Sequence, residues 1–203
     1  DLLEKFSKFV LIDKYDVYQK LQTYWEEIMQ DDAYLISLNG WNVSLYVKKD
    51  KNGKEKGWDS ELIPKEIIID KFFIKQKEEL EKLQEELDII SQQIQSMDEE
   101  NQGDDDLFSL TRNDDEKISK KDIPKRIKEI KNEPESVDEL KVLSEYLELA
   151  EKEKELKRNI NTAKKQLDND LLEKYNKLKE SEIREIVVHD KWLFSIYNSI
   201  YEE

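Results

Sequence analysis

Leu80-Glu81-Lys82-Leu83-Gln84-Glu85-Glu86-Leu87-Asp88-Ile89-Ile90-Ser91-Gln92-Gln93-Ile94-Gln95-Ser96-Met97 is the stretch that decides the fold. Leu80, Leu83, Leu87, Ile90, Ile94 and Met97 follow one another at spacings of 3, 4, 3, 4 and 3. That rhythm puts six apolar side chains on one narrow stripe of a helix, with the 3.5-residue mean of a seam that packs against another long helix. Upstream, Gly57-Trp58-Asp59-Ser60-Glu61-Leu62-Ile63-Pro64-Lys65 opens into this helix. Downstream, Ser136 and Glu139 have the spacing of a capping box. After them Val142, Tyr146, Leu149, Leu156, Ile160, Ala163 and Leu167 continue a 3-4 rhythm, with Glu153 in one slot. At 1.5 Å rise per residue, a helix from Glu66 to Met97 spans about 48 Å and one from Val137 to Lys179 about 64 Å. The two stripes either seal each other as an intramolecular hairpin or leave part of the seam for helices of another subunit.

The expected fold is mainly α: a long antiparallel, coiled-coil-like helical hairpin on a small helical base that carries a short β-hairpin. Residues 1–65 form the base and β element, 66–97 the first long helix, and 98–135 an acidic linker with a short helix. Residues 136–179 form the second long helix, and 180–203 a C-terminal helical unit packing on the base. Within residues 1–30, Leu2, Leu3, Phe6 and Phe9, then Val17, Tyr18, Leu21, Tyr24, Trp25, Ile28 and Met29, are spaced for a buried helical face, with Asp13 as a cap. Tyr34–Leu38 and Val43–Val47 carry β-formers, Asn39-Gly40 and Asn52-Gly53 read as turns, and Asp31 or Asp32 as the end of a helix. Aromatic residues concentrate at the two ends of the chain, which are expected to meet in the base. Asp98, Glu99, Glu100 and Asp104–Asp106 read as a solvated loop. Ile123-Pro124 and Glu133-Pro134 bracket a short amphipathic helix around Ile127 and Ile130.

Composition narrows the chemistry. Charged residues make up 41% of the chain and the formal net charge is −15, which opposes sequence-independent binding to nucleic-acid phosphates. Lys48, Lys49, Lys51, Lys54 and Lys56 form the one local basic cluster, and the Asn-Gly at its centre makes it a solvated hairpin tip. Without cysteine there is no disulfide, thiolate metal site or cysteine nucleophile, a composition that fits the cytosol. No apolar run approaches the roughly 20 residues needed to cross a bilayer. Gly40, Gly53, Gly57 and Gly103 are too far apart for a nucleotide-binding loop. His189 is the single histidine, excluding a multi-histidine metal site, and reads as a structural residue. Asp50–Glu61 echoes a calcium-binding loop, but its glycine falls at position 4 where position 6 is required. The expected catalytic, cofactor-binding and metal-binding sets are therefore all empty.

Three blocks bring a family into view. Trp25-Glu26-Glu27-Ile28-Met29-Gln30-Asp31-Asp32-Ala33-Tyr34-Leu35-Ile36 is the first; Asp50-Lys51-Asn52-Gly53-Lys54 through Gly57-Trp58 to Leu62-Ile63-Pro64-Lys65-Glu66 is the second; Ile186-Val187-Val188-His189-Asp190-Lys191-Trp192-Leu193 is the third. In this order they resemble the C-terminal region of the modification (methyltransferase) subunit of type I restriction-modification systems. The motif residues matched are Trp25, Asp31, Asp32, Trp58, Pro64, Asp190 and Trp192. In that family the preceding region is a Rossmann-like domain that binds S-adenosylmethionine and methylates adenine N6. Its cofactor glycines and Asn-Pro-Pro-aromatic motif have no counterpart here; Asn132-Glu133-Pro134 lacks the second proline and the aromatic. The resemblance thus implies a non-catalytic assembly region of a bacterial or archaeal cytoplasmic complex. It packs on the specificity subunit beside a second methyltransferase subunit and meets DNA only through the complex. The start at Asp1 fits a piece of a longer protein, whereas family members usually continue beyond the third block. The competing reading is a stand-alone coiled-coil adaptor or structural protein with no enzymatic parent.

Overall fold

The computed structural model describes residues 14–101, 107–113, 118–131, 133 and 136–201. Leu2, Leu3, Phe6, Phe9, the Asp13 cap, Asp104–Asp106 and Pro134 lie outside them. The chain divides into two compact units, residues 1–74 with 168–203, and residues 75–167. The fold is mainly α with one small antiparallel sheet.

In the first unit, α1 (Lys14–Tyr24) runs through a π-helical segment (Trp25–Met29) into α2 (Gln30–Asn39). Tyr34–Leu38, expected as a strand, is therefore helical. Ile28, Asp32, Leu35 and Ile36 continue the inward face begun by Val17, and packing along such a face outweighs a local β preference. Gly40, at φ 68°, closes the helix by donating its N–H to Ile36 O at 2.8 Å. Strands β1 (Leu45–Lys49) and β2 (Glu55–Ser60) then pair with Val47 opposite Trp58, and a bulge follows at Gly57, whose φ is 117°. Asp50 Oδ1 accepts from the N–H groups of Asn52 and Lys54, and Gly53 takes positive φ, which sets the exposed lysine-rich tip. The hairpin turns at Asn52-Gly53 as expected, and its second strand extends into the stretch read as a lead-in to the helix.

Helix α3 (Lys65–Phe72) is separated from α4 (Ile74–Glu100) at Phe73, whose φ of −128° and ψ of 24° break the single helix expected from Glu66 to Met97. The first unit closes with the last turns of α6 (Val137–Lys177), then α7 (Glu180–Glu185), a second π segment (Ile186–Leu193) and α8 (Phe194–Tyr201). Among the described residues α1 and α8 pack together, and the core around them is largely aliphatic. Val17, Ile63, Ile68, Leu171, Ile183, Ile186 and Val187 are buried, whereas Tyr15, Tyr18, Tyr34, Phe194 and Tyr197 are more than half exposed.

The second unit is the helical hairpin. On α4 the six seam residues from Leu80 to Met97 are half-buried, and most of the positions between them are exposed. On α6, Tyr146, Ile160 and Leu167 are buried and Val142, Leu149, Leu156 and Ala163 half-buried. Ile89 and Ile90 share a groove with Leu156 and Asn159, while Ile94 and Met97 pack nearer Leu143, Tyr146 and Ala150, so the two helices run antiparallel. Glu153, the charged slot in the seam, pairs with Lys120 at 2.8 Å and Lys157 at 2.6 Å, and these hydrogen bonds hold its carboxyl below the usual range.

The linker from 98 to 135, with its expected short helix, supplies much of this unit's core. Asp98–Glu100 finish α4, and Asp98 pairs with Arg112 at 2.7 Å. Phe108, Ile123 and Ile130, the last two from α5 (Ile123–Ile130), bury completely against Leu143, Tyr146 and Ala150. The Ser136–Glu139 capping box does not form: Ser136 Oγ donates to Glu133, and Arg126 holds the Glu139 carboxylate through two bonds of 2.7 and 3.0 Å. Among the described residues no helix is long and apolar enough to cross a membrane.

Burial ranks the cost of truncation here. Leu143→Ala, at a fully buried position, should cost about 2–5 kcal/mol, and Leu87→Ala, on the half-buried seam, about 1 kcal/mol. Urea denaturation of the two variants checks this, and equal losses would mean that the seam, not the Phe108 cluster, holds the hairpin.

Candidate functional site

Two apolar stripes of the first unit are each interrupted by one charge. Val17, Leu21, Tyr24 and Ile28 recur at steps of 4, 3 and 4, and a further step of four lands on Asp32. In the last helical stretch Ile183 and Val187 are followed, again after four residues, by Lys191. Both charged residues are buried, Asp32 at 3% and Lys191 at 8% exposure, a condition that long polar side chains meet only when paired.

They pair with each other. Lys191 Nζ donates to Asp32 Oδ1 at 2.7 Å, to Leu62 O at 2.9 Å and to Glu61 O at 3.2 Å, using all three ammonium donors. Trp192 Nε1 donates to Asp32 Oδ2 at 2.7 Å. Consecutive side chains reach one carboxylate because Lys191 and Trp192 lie on the π segment. Its wider turn separates neighbouring side chains by less than the roughly 100° of an α-helix. Tyr24 OH adds a bond to Lys191 O at 3.1 Å. Asp32, expected at a helix end, is thus mid-helix and the centre of the clamp.

The second block is held by two more carboxylates. Asp59, also buried, accepts from Ser60 N at 2.8 Å and Lys65 N at 3.0 Å, and pairs with Lys48. Burial alone would raise its carboxyl, but Lys48 and the two backbone donors outweigh it and leave the group below the usual range. Through Lys65 N it closes the start of α3, where Pro64 stands in extended geometry. Trp58 Nε1 donates to Asp168 Oδ2 at 2.9 Å, Lys65 Nζ reaches Asp168 Oδ1 at 2.5 Å and stands 3.5 Å from the Trp58 ring centre, and Tyr175 meets that ring edge-on at 5.4 Å. Tyr175 OH donates to Ile63 O at 2.7 Å, and burial raises its phenol above the ordinary value. In the third block Asp190 takes Lys71 at 2.6 Å.

Of the seven motif residues, Asp32, Trp58, Pro64, Asp190 and Trp192 therefore take part in or border this network, while Trp25 and Asp31 are exposed. Lys191, Asp59 and Asp168 are the partners that sequence reasoning missed; the interrupted stripes are the signal for Lys191. His189 is exposed and not a core residue. Both oxygens of Asp32 accept a hydrogen bond and all three donors of Lys191 are used, so the pair is satisfied within the fold. Beside it, α2, β1 and the turn after β2 enclose a groove of about 590 Å³. No family model, curated protein or solved structure matches the chain.

Two outcomes follow. Asp32→Asn strands a buried ammonium and should destabilise the protein by about 3–5 kcal/mol, whereas Asp32→Leu with Lys191→Met should cost clearly less; chemical denaturation measures both. Asp59 has its folded value below the ordinary 3.8, so its contribution is complete above that pH and disappears as pH falls through the folded value. The stability gap between the parent chain and Asp59→Asn should accordingly narrow between about pH 5 and pH 2.

Proposed function

We propose that this chain is a non-catalytic C-terminal assembly region of a type I restriction-modification DNA adenine-N6 methyltransferase subunit. The observation that carries this reading is the clamp. The three blocks of the resemblance, far apart in sequence, contribute Asp32, the Glu61 and Leu62 carbonyls, and Lys191 with Trp192 to one hydrogen-bonded unit. The convergence of the three blocks on one buried carboxylate supports the reading. Exposed apolar side chains of the same unit, among them Trp25, Leu193 and Phe194, support a surface for protein contact.

In this reading the fragment orients subunits and does no chemistry. S-adenosylmethionine and the methyl-transfer residues belong to the preceding domain of the parent protein, and DNA is met through the complex. The partners are the specificity subunit and a second methyltransferase subunit, in a bacterial or archaeal cytoplasm. The groove left open beside Ile89, Ile90 and Leu156 is where a long helix of those partners would pack.

Reading the genomic frame around the fragment tests the parentage: a glycine-rich loop and an Asn-Pro-Pro-aromatic motif should lie upstream. Co-expression with the specificity subunit encoded beside that frame should give one co-eluting complex on size exclusion. A frame beginning just before Asp1, with no association, would leave the coiled-coil adaptor as the better description.

A further inference from the structure

We propose that the groove between α2 and the β-hairpin of the first unit docks a basic segment of a partner protein, with an arginine side chain lying against Tyr34 and Tyr46. The inference stands apart from the parentage proposed above. At about 590 Å³ the groove falls within the roughly 300–1,000 Å³ typical of ligand-binding clefts.

Its charge is one-sided. The carboxylates at its floor, Asp32 and Asp59, are already matched by Lys191 and Lys48. The remaining three, Glu27, Asp31 and Glu61, are exposed, and among the described residues no cation pairs with their side chains. The cleft thus keeps an unbalanced negative rim over a neutralised base. Two aromatic side chains complete it: Tyr34 is 64% and Tyr46 41% exposed. Ile28, Leu35 and Pro64 supply apolar wall.

Carboxylates beside aromatic faces suit a guanidinium, which is planar, weakly hydrated, stacks on rings and bonds to carboxylates through a rigid fork. The apolar wall suits the aliphatic stem of that side chain and the residues beside it, which a bare polyamine lacks. Among the described residues no three carboxylates stand together as a metal cage. The outward faces of α4 are also acidic, but they carry no aromatic residue.

The test uses the full chain and a fluorescein-labelled tetra-arginine peptide, read by anisotropy at low salt and at roughly 0.3 M salt. Saturable binding is expected, weakened at least about tenfold in Asp31→Asn/Glu61→Gln and in Tyr46→Ala, each with its melting temperature unchanged. Glu85→Gln/Glu86→Gln on α4 should bind as the parent does. Absence of binding, equal loss in the α4 variant, or full affinity in Asp31→Asn/Glu61→Gln would overturn the proposal. Spermine competing as tightly as unlabelled tetra-arginine would overturn the assignment to a protein segment.

Discussion

A buried ammonium with a buried carboxylate organises the first unit. Removing either charge from water costs several kcal/mol, and that cost is offset only when geometry is good and the remaining hydrogen-bonding capacity is filled. Lys191 meets the condition by adding the Glu61 and Leu62 carbonyls to Asp32, and Asp32 by adding the Trp192 indole. The consequence is topological. A helix near the start of the chain, the turn after the β-hairpin and the last helical stretch must all be in place before all of these groups are satisfied. A merely apolar contact would tolerate sliding; this one does not, because each donor has a named acceptor.

The second unit depends on a different balance. Two helices facing each other can bury only a stripe, and the α4 residues accordingly remain half-buried. The most complete burial, at Phe108, Ile123, Ile130 and Leu143, comes where a third layer is added from Phe108 and helix α5. Ion pairs ring this layer: Asp98 with Arg112, Lys120 with Glu153, and Arg126 with Glu139. Such half-exposed pairs contribute little stability singly, but they orient the segment that carries Phe108. Away from this layer, the groove at Ile89, Ile90 and Leu156 marks how little of the seam two helices cover.

Function, on this reading, is a matter of surfaces. The buried charges Asp32, Asp59 and Lys191 are spent on structure, while exposed carboxylates line the rim of the groove beside Tyr34 and Tyr46. That distribution is what the proposed assembly role would use.

The seam from Leu80 to Met97, the second long helix, the Asn52-Gly53 turn and the short helix around Ile127 and Ile130 were legible in the sequence. Each rests on local periodicity or on one residue's backbone preference, and neither needs a distant partner to be expressed. Tyr34–Leu38 was misread because β-formers are a weak signal where packing decides; the stripe running through Asp32 to Ile36 makes the segment helical. The break at Phe73, the two π segments and the core role of Phe108 were likewise invisible, since each is imposed by what packs against it. For the clamp, the sequence by itself determined that one aspartate and one lysine interrupt apolar stripes. Only the tertiary structure decided that these two meet, because a buried charge selects its partner by proximity and desolvation, quantities that arise once the distant helices have come together.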